Sequence, residues 1–104
     1  MDLLRGDNWM PWKHRMLAIL RDQDLEKYVE KDVAPPTVST TPTSEERDAL
    51  QKWKNGDAKA RTRIELSIRD SEMIHLSGAN MAREMWSQLV MVKEARGQLG
   101  FENK

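Results

Sequence analysis

Apolar residues recur at helical spacing along most of the chain, beginning with Trp9, Trp12, Met16, Ile19 and Leu20. That spacing gathers them on one face of a helix and sends Lys13, His14, Arg15 and Arg21 elsewhere. Asn8 suits the capping position, and Pro11 falls in the first turn, where a missing N–H has no intrahelical partner to lose. The pattern predicts a helix from there to about Asp22, with the two indoles as core anchors where the chain enters the fold.

A short amphipathic piece around Leu25, Tyr28 and Val29 precedes "KDVAPPTVSTTPT", whose paired prolines and Thr/Ser cluster read as an exposed connection. Thr43 with Glu46 three residues on makes a capping box, which predicts the start of a long helix. Its stripe of Ala49, Leu50, Trp53, Ala60, Ile64 and Ile68 continues to about Arg69. Gly56, inside "NGD", is either tolerated at about 1 kcal/mol or breaks the helix so that Asp57 caps a second segment. Of the two, continuity is the expectation.

Asp70 or Ser71 is placed to cap a short helix carrying Met73, Ile74 and Leu76, with Gly78 ending it in a left-handed conformation. Asn80 then caps a last helix with Ala82, Met85, Trp86, Leu89 and Val92 on its apolar face, and Gly97 and Gly100 mark its fraying end. No segment alternates with period two, so no sheet has a source. The expected fold is all-α, a small bundle of about four to five helices.

The 104 residues suffice for one core, so residues 1–104 are read as a single helical domain. Lys plus Arg and Asp plus Glu number 17 each, so no net field draws the chain to nucleic acid or an anionic membrane. The absence of cysteine removes disulfides, thiolate metal sites and thiol nucleophiles, and suits a reducing compartment. Apolar runs are too short to span a bilayer, and Asp2, Arg5 and Asp7 around two leucines do not make a secretory signal. A cytoplasmic location with no membrane contact is expected.

Candidate chemistry is sparse. His14 and His75 lie in different helices with no second ligand at metal spacing, and Asp22 and Asp24 diverge as solvated charges at a helix end. "SGAN" lacks the strand and lysine of a phosphate loop. No acid–base pair, nucleophile, metal or cofactor site can be assembled, so an enzyme is not expected. Lys52, Lys54, Lys59, Arg61 and Arg63 are interleaved with Asp57 and Glu65, which fits an ion-paired face and at most weak, non-specific RNA binding. Met73, Met81 and Met85 could line an adaptable groove for a partner peptide, although core filling is the simpler reading.

From Leu4 to about Gly100, the order "LRGDNWMPWKHRMLAIL", "LEKYV", "DAKARTRIELSIRDS", "ANMAREMWSQL" and "VKEARGQLG" resembles Gag of copia-type LTR retrotransposons, particularly those of fungi. The resemblance implies a capsid-like structural protein that self-associates into particles, with a helical N-terminal lobe followed by a second one. It assigns Trp9, Trp12, Leu20, Tyr28, Trp53, Ile64, Leu66 and Trp86 to fold-forming positions, to which the apolar stripes add Met16 and Leu89. The chain stops at Lys104, where the family continues into the second lobe, and lacks the cysteines of a zinc knuckle. It is then an excised lobe or a host-retained copy with a new role. Two functions follow: a capsid lobe making weak contacts with copies of itself, strengthened by multivalency, or a domesticated lobe that binds a peptide or protein segment.

Overall fold

Three α-helices and two 3-10 helices follow one another in the order α1 (Trp9–Asp22), η1 (Glu26–Val29), α2 (Ser44–Glu65), η2 (Asp70–Leu76) and α3 (Ala82–Glu102). The computed structural model describes residues 1–102, with side chains through residue 95. The expected all-helical bundle is what the chain forms.

Helix α1 begins where the apolar pattern places it and buries Trp9, Trp12, Met16 and Leu20. Asn8 occupies the cap position, but its side chain does not cap the helix. Its Oδ1 accepts from the Arg5 backbone N–H at 2.7 Å and its amide donates to the Leu3 carbonyl at 2.9 Å, so it folds the N-terminal segment back instead. At the other end Asp24 adopts φ 63°, with Leu25 N–H bonded to the Leu20 carbonyl at 2.7 Å and Asp24 N–H to that of Arg21 at 3.1 Å. This pair of bonds is a Schellman stop, in which an aspartate holds the left-handed position usually given to glycine. The stop turns buried Leu25 into the core and launches η1, which buries Tyr28 and Val29.

The stretch from Lys31 to Thr43 is largely exposed and irregular, as its prolines require. The capping box then forms in full: Thr43 Oγ1 accepts from the Glu46 N–H at 3.1 Å, and Glu46 Oε1 accepts from the Thr43 N–H at 3.0 Å. Glu46 also holds the Ser39 N–H at 2.9 Å, which pulls the connection down onto the helix. These backbone donors, Thr43 and then Ser39, keep the Glu46 carboxyl below the usual carboxylate range.

Helix α2 runs unbroken through Gly56. Glycine is needed there, because a Cβ would stand 2.1 Å from the hydroxyl of Tyr28, whose ring lies across the helix. The helix ends at Glu65, short of Arg69, and the chain straightens so that Leu4 and Ile68 form a parallel bridge. Leu4 N–H donates to the Ser67 carbonyl at 2.9 Å and Arg69 N–H to the Leu4 carbonyl at 3.1 Å.

The short element η2 is a 3-10 helix that starts at Asp70, with Arg69 in the cap position and no side chain capping it, in place of the expected cap at Asp70 or Ser71; Gly78 follows it at φ 81°. Helix α3 packs against η1, η2 and α2 and continues through Gly97 and Gly100, which were expected to end it. The core is one cluster drawing on every element, from Leu4 through Trp12, Met16, Leu20, Ala60 and Ile64 to Leu89.

Candidate functional site

Three indoles meet at the centre of the bundle. Trp9 and Trp12 stack with ring centroids 5.7 Å apart, and Trp86 of α3 closes the group at 6.0 Å from Trp9 and 5.9 Å from Trp12. Each aromatic pair contributes about 0.5–1.5 kcal/mol beyond the area it buries. The polar edges of two of them are satisfied at long range: Trp12 Nε1 donates to the Ser67 carbonyl at 2.8 Å, and Trp9 Nε1 to Glu94 Oε2 at 3.1 Å. Glu94 Oε2 also receives Lys13 Nζ at 2.6 Å. The Lys13 hydrogen bond, then that of Trp9 and the Lys13 charge, hold the Glu94 carboxyl below its ordinary range, although partial burial pushes it up. Lys13, expected to point away from the core, thus ties α1 to α3.

Asp57 is the second junction. It sits in the apolar phase of α2 between Trp53 and Ala60, and its side chain is 5% exposed. One oxygen accepts from the Ala82 N–H at 2.9 Å, and the other from Arg61 Nε at 3.1 Å. A carboxylate of one helix therefore caps the start of another, where free N–H groups and the helix dipole favour negative charge. Asn80 does not supply the expected cap; its own N–H donates to Glu84 Oε1 at 2.7 Å.

The third junction is a buried ion pair. Lys93 Nζ of α3 lies 2.6 Å from Glu72 Oε1 of η2, with side chains 7% and 9% exposed, and His75 Nε2 is 3.7 Å from the same oxygen. Lys93 also reaches the Arg5 carbonyl at 3.4 Å. Such a pair fixes how η2 sits on α3 more than it raises stability.

Among the expected fold residues, Trp9, Trp12, Met16, Leu20, Tyr28, Ile64, Trp86 and Leu89 are buried in one cluster, and Trp53 is half-buried with its ring edge-on to Tyr28 at 5.9 Å. Leu66 is a correction: it is 71% exposed. Ile64 and Ile68 face inward at a spacing of four, so the residue between them, where the helix ends, is turned to the opposite side.

The methionines do not converge on a groove. Met73 is exposed, Met81 half-buried and Met85 buried in the core, and none lines the three grooves described below. The largest, about 890 Å³, runs between the Gln23–Tyr28 segment and the outer side of α2, where Lys27, Lys52, Lys59 and Arg63 alternate with Asp24 and Asp48. A second, of about 650 Å³, lies against Trp86 and Arg83, and a third, of about 480 Å³, against Trp53 and Pro36. His14 is exposed and distant in sequence from the Glu72 pair that His75 joins, and no group of three metal-ligating residues occurs among the described residues.

Asp57, Glu72, Lys93 and Glu94 went unnoticed in the sequence as junction residues. Asp57 alone carried a signal, a charge at the apolar phase of a helical stripe. The other three pair across distant elements, and spacing along the chain does not encode such pairing.

Residues 16–97 match the family model described as gag-polypeptide of LTR copia-type. No curated protein and no solved structure matches the chain.

Proposed function

The chain belongs to the copia-type LTR gag-polypeptide family, and on that premise we propose that it acts as a capsid lobe, contributing weak contacts between copies to the self-assembly of virus-like particles. A Gag-type domain is structural rather than catalytic. The observation that carries the reading is the family match over residues 16–97, which takes in η1, α2 and η2, the second half of α1 and most of α3.

The geometry supports it in a specific way. The indoles of Trp9, Trp12 and Trp86 are spent inside the bundle and the outer side of α2 is charged, so a contact between copies made through that side is small and polar. Such contacts become firm only when many act together in a shell. Weakness is useful here, because a lobe that joined tightly on its own would commit to wrong geometries before the rest of the polyprotein was in place.

RNA is a minor partner in this reading. The basic residues of α2 are interleaved with acids, and Arg61 is already engaged by Asp57. The place of action is the cytoplasm, in keeping with the cysteine-free composition; no helix among the described residues is long and apolar enough to cross a membrane.

Analytical ultracentrifugation and electron microscopy test the proposal together. The purified chain should sediment as monomer or dimer at tens of micromolar, and the polyprotein carrying a second lobe should form closed or tubular particles. Failure of the polyprotein to form any particle overturns the reading. In gel-shift titration at physiological salt, submicromolar RNA affinity would overturn the minor role given to RNA.

A further inference from the structure

Helix α2 carries its charges in two blocks along its outer side. Glu45 and Asp48 occupy the first turns, and Lys59 and Arg63 the last, all four exposed. At 100° per residue these four, with Lys52 and Asn55, fall on one stripe, well away from buried Ala60 and Ile64. From Asp48 to Arg63 the stripe forms one wall of the 890 Å³ groove.

The blocks mirror each other about a point near residues 53 and 54. Asp48 and Lys59 stand at nearly equal distances from it, as do Glu45 and Arg63. Asp48 and Lys59 are separated along the axis by roughly 16 Å at 1.5 Å per residue.

We propose that this stripe is a two-fold interface, in which α2 of one copy lies antiparallel along α2 of a second copy, Asp48 of each facing Lys59 of the other and Glu45 facing Arg63. The inference rests on the capsid-lobe reading and names the surface that makes its contact. A two-fold axis needs a self-complementary patch, and a helix with acid at one end and base at the other is complementary to its own reverse. The only occupant required is this chain.

Charge complementarity favours a second copy: the groove carries both signs, with Lys27, Lys52, Lys59 and Arg63 beside Asp24 and Asp48, and the reversed helix presents a base to Glu45 and Asp48 and an acid to Lys59 and Arg63, which a partner of one sign does not. Lys52 lies beside the axis and faces Asn55 of the second copy, with that copy's Lys52 offset along the helices by only about 5–6 Å at 1.5 Å per residue, and this approach of like charges limits the affinity. The contact is therefore weak and salt-dependent.

Sedimentation equilibrium of the chain, from tens to hundreds of micromolar and at low and high salt, tests the interface. We expect Asp48→Lys to lower the association constant by about fivefold or more, since two symmetric attractions become repulsions. Lys59→Asp should do the same, and the double variant Asp48→Lys/Lys59→Asp should recover to within about twofold of wild type, because it only exchanges the partners. Lys52→Gln should tighten association. All three positions are exposed, and far-UV circular dichroism confirms that each variant keeps its helices.

Association that ignores the single reversals, or a double variant as weak as the singles, overturns the interface. No association of the wild-type chain at hundreds of micromolar overturns it as well. These outcomes are separable from the fate of the capsid reading. Particles formed by a polyprotein carrying Asp48→Lys as readily as by wild type would reject this surface and leave that reading standing, whereas a wild-type polyprotein without particles rejects the reading itself.

Discussion

The indole N–H of Trp12 donates to the backbone carbonyl of Ser67 at 2.8 Å, and that same carbonyl receives the N–H of Leu4 at 2.9 Å. One acceptor at the end of α2 thus fixes both the N-terminal segment and the first turns of α1. Trp12→Ala should cost about 3–5 kcal/mol, combining lost burial and a cavity at a 1% exposed site. Trp12→Phe keeps a ring and loses the hydrogen bond, so it should cost less but still about 1–2 kcal/mol or more. Urea unfolding separates the two, and a Trp12→Ala variant with an unchanged midpoint would contradict the assignment.

Gly56→Ala should destabilise, reversing the sign of the ordinary helix preference, which favours alanine by about 1 kcal/mol. The cause is the Tyr28 ring, so in a Tyr28→Ala background the same substitution should become neutral or favourable. A double-mutant cycle of thermal melts measures the coupling. Additive effects would show that Tyr28 does not set the requirement.

Asp57→Ala should cost roughly 2–4 kcal/mol, since it strips the cap from α3 and frees Arg61. Asp57→Asn retains an acceptor for the Ala82 N–H and should fall between that variant and wild type. Amide hydrogen exchange reads the location of the damage: protection should drop first in the opening turn of α3. Uniform loss across the bundle would instead mark Asp57 as a general core residue.

Acid should weaken the α1–α3 junction. Glu94 ionises more readily in the folded chain than in the unfolded one, where its value is near 4.5. Its contribution is therefore complete above that value and is lost as the pH falls through the lower folded value. Glu94→Gln should destabilise at neutral pH, and the gap to wild type in urea midpoint should narrow as the pH falls below the unfolded value and close beneath the lower folded one. A gap independent of pH would place the effect in the shape of the side chain, with no part for its charge.

Sequence periodicity was a good guide wherever local geometry decides the outcome. The stripe through Trp9, Trp12, Met16 and Leu20, the Thr43–Glu46 box and the left-handed Gly78 each depend on residues a few positions apart, and all three are found. It was a poor guide where one group satisfies another across the bundle. Asn80 is an ordinary capping residue by type, yet α3 takes its cap from Asp57, because burial of the α2–α3 crossing brings a carboxylate to its first N–H. The family resemblance makes Leu66 a fold-forming position, but the straightening that pairs Ile68 with Leu4 leaves it facing out. The candidate methionine groove failed for a related reason, since Met85 is drawn into the core while Met73 stays on an exposed side of η2.

The bridge of Leu4 to Ile68 and the packing of Trp9 and Trp12 on Trp86 join the start of the fold to residues synthesised much later. On the ribosome, at about 5–20 residues per second, the two early indoles would wait roughly 4–15 s for the third. Helix α1 is born without its partners, and the bundle can close only once the first half of α3 has left the exit tunnel. Closure of the bundle is thereby timed by synthesis of α3, and a chain interrupted before Trp86 would carry two unsheltered indoles and no means of covering them.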